Sequence, residues 1–223
     1  MPITAVLFDV DGVLLDSTAA HRRVWDAWSA MRGLDAEEVW ELTFGRRPED
    51  TVREVAPQLD PDVERVALDR LLAREEGSFP PVAGAAELLA GLPDGAWAIV
   101  TSGDMVSVRR RFGAAGLPLP RVQVYGADVE RAKPAPDCFA LAASRLGVPP
   151  SACLVVEDAP AGVRAGRDAG CTVVGLTTTH AAGALGEADR CVASLREVGE
   201  LVGAYGLLRT GGTGVSGRSG AGV

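Results

Sequence analysis

With 223 residues, 47% of them hydrophobic, the chain can bury one substantial core and a smaller appended unit. A formal charge of −8 excludes the basic face that nucleic-acid binding needs, and no run approaches the ~20 apolar residues that span a bilayer. The sequence therefore predicts a cytoplasmic monomer whose partners are small molecules, with no nucleic acid and no membrane.

The first element is a buried strand over residues 3–9, which stops on Asp9, with Asp11 and Gly12 just beyond. Residues 18–78 then show no strand pattern. They carry amphipathic helical stretches such as "AAHRRVWDAWSAM", "AEEVWELTF" and "VERVALDRLLAREE". Strand-like runs resume at 96–101, 121–125, 152–156 and 172–176. They alternate with helical patterns at 83–92, 104–116, 136–147, 160–169 and 194–205. This alternation predicts an α/β fold, a doubly wound parallel sheet (Rossmann-like), with an α-helical cap inserted after strand 1. The expected core comprises 1–16 and 80–206, and the cap 17–79, with hinges at Leu15–Ser17 and Phe79–Val82. Residues 207–223, rich in Gly and Ser, read as a disordered tail. Cys138, Cys153, Cys171 and Cys191 form no Cys-x-x-Cys pair and read as buried reduced thiols.

Ligands of open parallel sheets bind beyond the carboxyl ends of the strands, where Asp9 falls. Strand geometry sends residues i and i+2 to one side, so Asp9 and Asp11 can converge there. Other strand ends supply matching groups: Thr101 and Ser102, Lys133 in "RAKPAP", and Glu157 with Asp158. The aspartates, Thr101-Ser102 and Glu157-Asp158 each alone also read as a loop or helix cap, and Lys133 alone as chance placement. Together, Asp9, Asp11 and Asp158 would repel one another without a cation, and hard oxygen ligands suit Mg²⁺. A metal, an ammonium and hydroxyl donors compose a site for a tetrahedral phosphoryl group. Lys133 is the only lysine beside 21 arginines, which argues for a compact ammonium where a planar guanidinium would not fit.

"FDVDGVLLDS", "VTSG", "AKPAP" and "VVEDAPAGVRAGRDAGC" resemble the four ordered motifs of the haloacid dehalogenase-like hydrolase superfamily. The branch resembled has a helical cap after strand 1, the β-phosphoglucomutase-like subfamily. The resemblance implies that Asp9 is a nucleophile forming an aspartyl-phosphate. It implies that Asp11 protonates the leaving alcohol and then activates water, while Thr101, Ser102 and Lys133 hold the phosphoryl group. Mg²⁺ would be bound by Asp9, the Asp11 carbonyl and Asp158, with Glu157 supporting. Asp11 argues against a dehalogenase, and a cap without lysine argues against phosphonate cleavage by a Schiff base.

The stretches around 97–103 and 155–179 are especially similar to small sugar- and polyol-phosphate phosphatases. Phosphate-ester hydrolysis is therefore the expected reaction. A β-phosphoglucomutase-type mutase is the alternative, and a non-catalytic binding protein on the same fold a distant one. Pro48 stands where the mutase pattern has an arginine. Within the cap, His21, Trp25 and Trp28 share one helix face, which reads as packing with His21 as a candidate substrate contact. "FGRRPED" places Gly45, Arg46 and Arg47 in a loop or helix start, with Arg47 a second candidate, solvated arginines the plain reading, and either arginine able to substitute for the one missing at Pro48.

Overall fold

A computed structural model describes residues 2–75, 77 and 79–208 of the chain. Its backbone begins with β1 (Ala5–Phe8), followed by four helices: α1 (Thr18–Arg32), α2 (Ala36–Glu41), α3 (Pro48–Val55) and α4 (Pro61–Leu72). The chain continues through α5 (Ala85–Gly91), β2 (Trp97–Val100), α6 (Met105–Ala115), β3 (Val122–Val124), α7 (Asp137–Leu146) and β4 (Cys153–Glu157). It ends with α8 (Pro160–Asp168), β5 (Thr172–Leu176), β6 (Arg190–Val192) and α9 (Leu195–Ala204).

All six strands run parallel in the order β3-β2-β1-β4-β5-β6. β1 is central, with Leu7 opposite both Ala98 and Val155. From β1 the chain winds outward through β2 and β3, then returns to the other side of β1 for β4. The carboxyl ends of β1 and β4 therefore flank the point where strand order reverses, and a crevice opens there. The sheet is covered on both faces, as its continuous apolar strands require. Val6 and Phe8 join Leu88, Phe112 and Val198 in one layer. Leu7, Val100 and Val155 join Phe139, Ala142 and Val163 in the other.

The helical insertion α1–α4 has its own apolar cluster, built on Val24, Trp25, Trp28, Val39, Val52 and Leu68. Trp28 is fully buried there and donates its indole N–H to Glu64 at 2.7 Å. The two chain crossings into the insertion lie side by side. Asp16 N–H donates to Pro80 O at 2.8 Å and Val82 N–H to Leu14 O at 2.9 Å.

Residues 48–55, whose approach read as a loop or helix start, form α3, because Pro48 at its first position fixes a helical φ and needs no N–H partner. Two local readings change. β6 was not expected. It is a three-residue edge strand, and a charged "DR" precedes its two apolar residues, so no alternation develops. Leu207 and Leu208, placed with the tail in the sequence reading, pack against the core. The rest of the expected tail, from Arg209, lies outside the described residues. The four cysteines are free thiols, with Cys191 only half-buried. No described helix is long and apolar enough to cross a membrane.

Candidate active site

β1 and β4 deliver Asp9, Glu157 and Asp158 to the crevice, each nearly or fully buried. One carboxylate oxygen from each lies within 4.8 Å of the others. Lys133, in the loop before α7, sends its ammonium between two of them. Its Nζ donates to Asp9 Oδ1 at 2.5 Å, to Glu157 Oε1 at 2.7 Å and to Val100 O at 3.1 Å. Glu157 accepts through its other oxygen from the N–H groups of Asp158 and Ala159, at 3.0 and 3.1 Å. Thr179 donates its hydroxyl to Asp158 Oδ2 at 2.6 Å.

Two glycines permit this crowding. Gly12 adopts φ +81°, and a Cβ there would stand 2.0 Å from Asp158 Oδ2. A Cβ on Gly162, at the start of α8, would stand 1.7 Å from Glu157 Oε1.

Three buried carboxylates against one ammonium leave excess negative charge. Burial pushes Asp9 up to about 7, although Lys133 pulls the other way. Burial and the neighbouring Glu157 and Asp9 carboxylates also push Asp158 well above its usual range. Such carboxylates hold protons that a divalent cation would displace, so the donor set fits a hard metal ion.

Asp11 does not join this cluster. Its carboxylate accepts from Arg111 Nη1 of α6 at 2.5 Å and lies 3.9 Å from His21 Nε2 of α1. Burial alone would raise its pKa, but the Arg111 guanidinium and His21 more than offset that and hold it at about 2. Asp9 and Asp11 face one cavity, but a buried guanidinium holds the Asp11 carboxylate apart from the Asp9, Glu157 and Asp158 group. Arg111 also lies against the Phe79 ring, 5.0 Å from its centroid.

Asp9, Asp11, Asp158, Thr101 and Ser102 line a cavity of about 130 Å³ roofed by the insertion. Thr101 is buried and accepts from the Gly103 N–H at 3.0 Å. Ser102 donates to Gly45 O of the insertion at 2.8 Å. His21 lines the cavity, whereas Trp28 on the same helix face packs inside the insertion. Arg47 is not in the cavity lining. Its guanidinium donates to Gly126 O and Val129 O at 3.3 Å and to Glu130 O at 3.1 Å, tying the insertion to the core. Its neighbour Arg46 lines the cavity instead and pairs with Glu54 at 2.5 Å.

The sequence reading missed Ser107 and Arg111. The signal was present: both interrupt the inward stripe completed by Val108 and Phe112, on the helix that follows the Thr101 strand end.

Residues 3–170 match the haloacid dehalogenase-like hydrolase family. The chain belongs to this family. Hexitol phosphatase A of Escherichia coli K12 is 40% identical over 200 residues, covering 86% of this chain and 91% of that protein. Glycerol-1-phosphate phosphohydrolase 2 of Saccharomyces cerevisiae is 32% identical over 192 residues, covering 80% of this chain and 76% of that one. Among solved structures, a family hydrolase from Deinococcus radiodurans R1 with bound phosphate and sodium superposes with a TM-score of 0.71 at 30% identity. That match covers 93% of this chain and 98% of the other. Haloacid dehalogenase-like hydrolases generally use a divalent metal, and Asp9, Glu157 and Asp158 form an acidic cluster that could hold one.

Proposed function

We propose that this hydrolase is a Mg²⁺-dependent phosphatase for small sugar- or polyol-phosphate monoesters, acting through an aspartyl-phosphate on Asp9. The observation that carries the reading is Asp9 itself. It ends the central strand, is held by Lys133 at 2.5 Å, stands beside Asp158 and faces a roofed cavity. Relatives that share 32–40% identity and are named as hexitol and glycerol-1-phosphate phosphatases support the substrate class.

Asp9 and Asp158, with the Asp11 carbonyl, would hold Mg²⁺, and Glu157 supports them from behind. Bound Mg²⁺ supplies positive charge to the phosphoryl oxygens and to the carboxylates around them. Lys133 orients the Asp9 carboxylate for in-line attack and offsets charge on the transferring group. Thr101 and Ser102, at the end of β2, offer donors to the remaining phosphoryl oxygens. Asp11 must first take up a proton to give one to the departing alkoxide, and the carboxylate so left takes one from the water that cleaves the phosphoenzyme. Arg111 favours the ionised form of Asp11, which suits the second half of that cycle.

A mutase would need a second phosphate grip in the insertion. Pro48, which lines the cavity, offers neither charge nor donor at the corresponding place. The test is a screen of small phosphate esters for released inorganic phosphate, with Mg²⁺ and with a chelator. Release that depends on the metal is expected. Stoichiometric conversion of β-glucose 1-phosphate to glucose 6-phosphate, without phosphate release, would contradict the reading.

A further inference from the structure

The part of the cavity beyond Asp11 has an unusual electrostatic composition. Three guanidinium groups line it, and each is already paired. Arg46 pairs with Glu54, and Arg111 with Asp11, both at 2.5 Å. Arg65 of α4 is held by Glu49 and Asp69 at 2.8 Å and by Asp104 of the core at 3.3 Å. Asp11, Asp69 and Asp104 line the cavity beside these three cations, and Glu49 and Glu54 pair with them from outside the lining, so a second anionic group on a substrate would meet no unpaired cation.

Two polar atoms in the same wall are, by contrast, unsatisfied. Ser107 Oγ and Arg111 Nε are buried and make no hydrogen bond. Both residues are more than nine-tenths buried and line the cavity. They stand four residues apart on α6, so their side chains lie one above the other on one helix face. Buried polar atoms without partners are uncommon in folded proteins and call for a reason. The Nε–H can only donate, whereas the serine hydroxyl can both donate and accept. Both atoms are closed to solvent while their residues line the cavity, so a pair of neighbouring substrate hydroxyls would satisfy them once the two side chains turn toward it.

We infer that Ser107 and Arg111 form a leaving-group subsite that reads hydroxyls of an uncharged polyol chain, and that the paired charges around it exclude leaving groups bearing a second anion. The inference rests on the phosphatase reading and adds to it which wall selects the alcohol. Because Arg111 also holds Asp11, the subsite begins beside the leaving oxygen and runs along α6 toward Asp104.

The test compares kcat/KM, with Mg²⁺, for sorbitol 6-phosphate, 6-phosphogluconate and p-nitrophenyl phosphate. The second replaces a terminal CH₂OH of the first with a carboxylate, and the third has no aliphatic hydroxyl. Sorbitol 6-phosphate is expected to exceed 6-phosphogluconate by about a hundredfold. Ser107→Ala should lower the ratio of sorbitol phosphate to aryl phosphate about tenfold, chiefly through KM. Asp104→Asn should narrow the gap between the polyol and the gluconate esters. The inference is overturned if the gluconate ester is used within twofold of the polyol ester, or if Ser107→Ala leaves the ratio unchanged. Failure of all three esters to release phosphate would instead count against the phosphatase reading itself.

Discussion

The strand-end cluster and the helical insertion use the same kinds of charged residue under opposite conditions. At the strand ends, Asp9, Lys133, Glu157 and Asp158 are buried within hydrogen-bond reach of one another or of the backbone. In the insertion, pairs such as Arg22 with Glu37 sit at the surface, where Glu37 is 74% exposed. Exposed pairs contribute about 0–1 kcal/mol each, whereas removing one partner of a buried pair costs about 3–5 kcal/mol. The first region therefore tolerates little change, and the second can vary around the same chemistry. The proposed chemistry belongs to the strand-end cluster, and the proposed choice of alcohol to the seam where the two regions meet.

The sharpest way to break this contrast is Asp9→Asn. Phosphate release should fall by about four orders of magnitude, since the amide is nearly isosteric but a poor nucleophile. Retained activity would remove the strand-end cluster from the chemistry. Lys133→Arg keeps the charge but replaces a compact ammonium held by three oxygens. A loss of about a hundredfold in kcat is expected, because small displacements at the reacting centre carry costs of that size. Near-normal rates would show that the site is less exacting than its geometry implies.

On the insertion side, Arg47→Met deletes the donors to Gly126, Val129 and Glu130. A fall of about fivefold in kcat/KM is expected from poorer closure, with the cluster chemistry intact. A loss as large as that of Lys133→Arg would erase the distinction between the two regions.

The smallest effect is thermal. Asp9, raised to about 7, keeps a proton in the folded protein that the unfolded chain releases near pH 4. Stability of the metal-free protein from this group is thus greatest at low pH and is lost as pH rises through about 7. His21, whose pKa burial lowers, acts in the opposite sense but fades above about pH 7, whereas Asp158, also raised, acts in the same sense as Asp9. Between pH 6.5 and 8, the midpoint measured in chelator should drop by about 2–4 °C. Added Mg²⁺ should stabilise more at pH 8 than at pH 6.5. A midpoint that rises over this interval in chelator would contradict the assignment.

The strand-end cluster was also the region legible in the sequence. Asp9, Thr101, Glu157 and Asp158 each end an apolar run, so one-dimensional pattern located them on one edge of a parallel sheet. Lys133 stood out by composition alone. Long-range partners were not legible. Nothing local says that Arg111 reaches Asp11, 100 residues away, or that Arg47 rather than Arg46 turns toward the core. Neighbouring arginines look alike until the fold decides which faces the cavity. The start of α3 was partly legible: its Gly-Arg-Arg-Pro approach reads as a loop or a helix start, and proline is well suited to a first helical position.

The central claim, that Asp9 carries the phosphoryl group, is tested most directly in the Asp11→Asn variant with p-nitrophenyl phosphate. An activated aryl leaving group needs no proton, so attack by Asp9 should proceed while water activation fails. Acid quenching followed by borohydride reduction converts an acyl phosphate to homoserine, which peptide mass spectrometry locates. The account predicts a burst of about one nitrophenol per enzyme and homoserine at position 9. Continued nitrophenol release with unmodified Asp9 and no burst would contradict it.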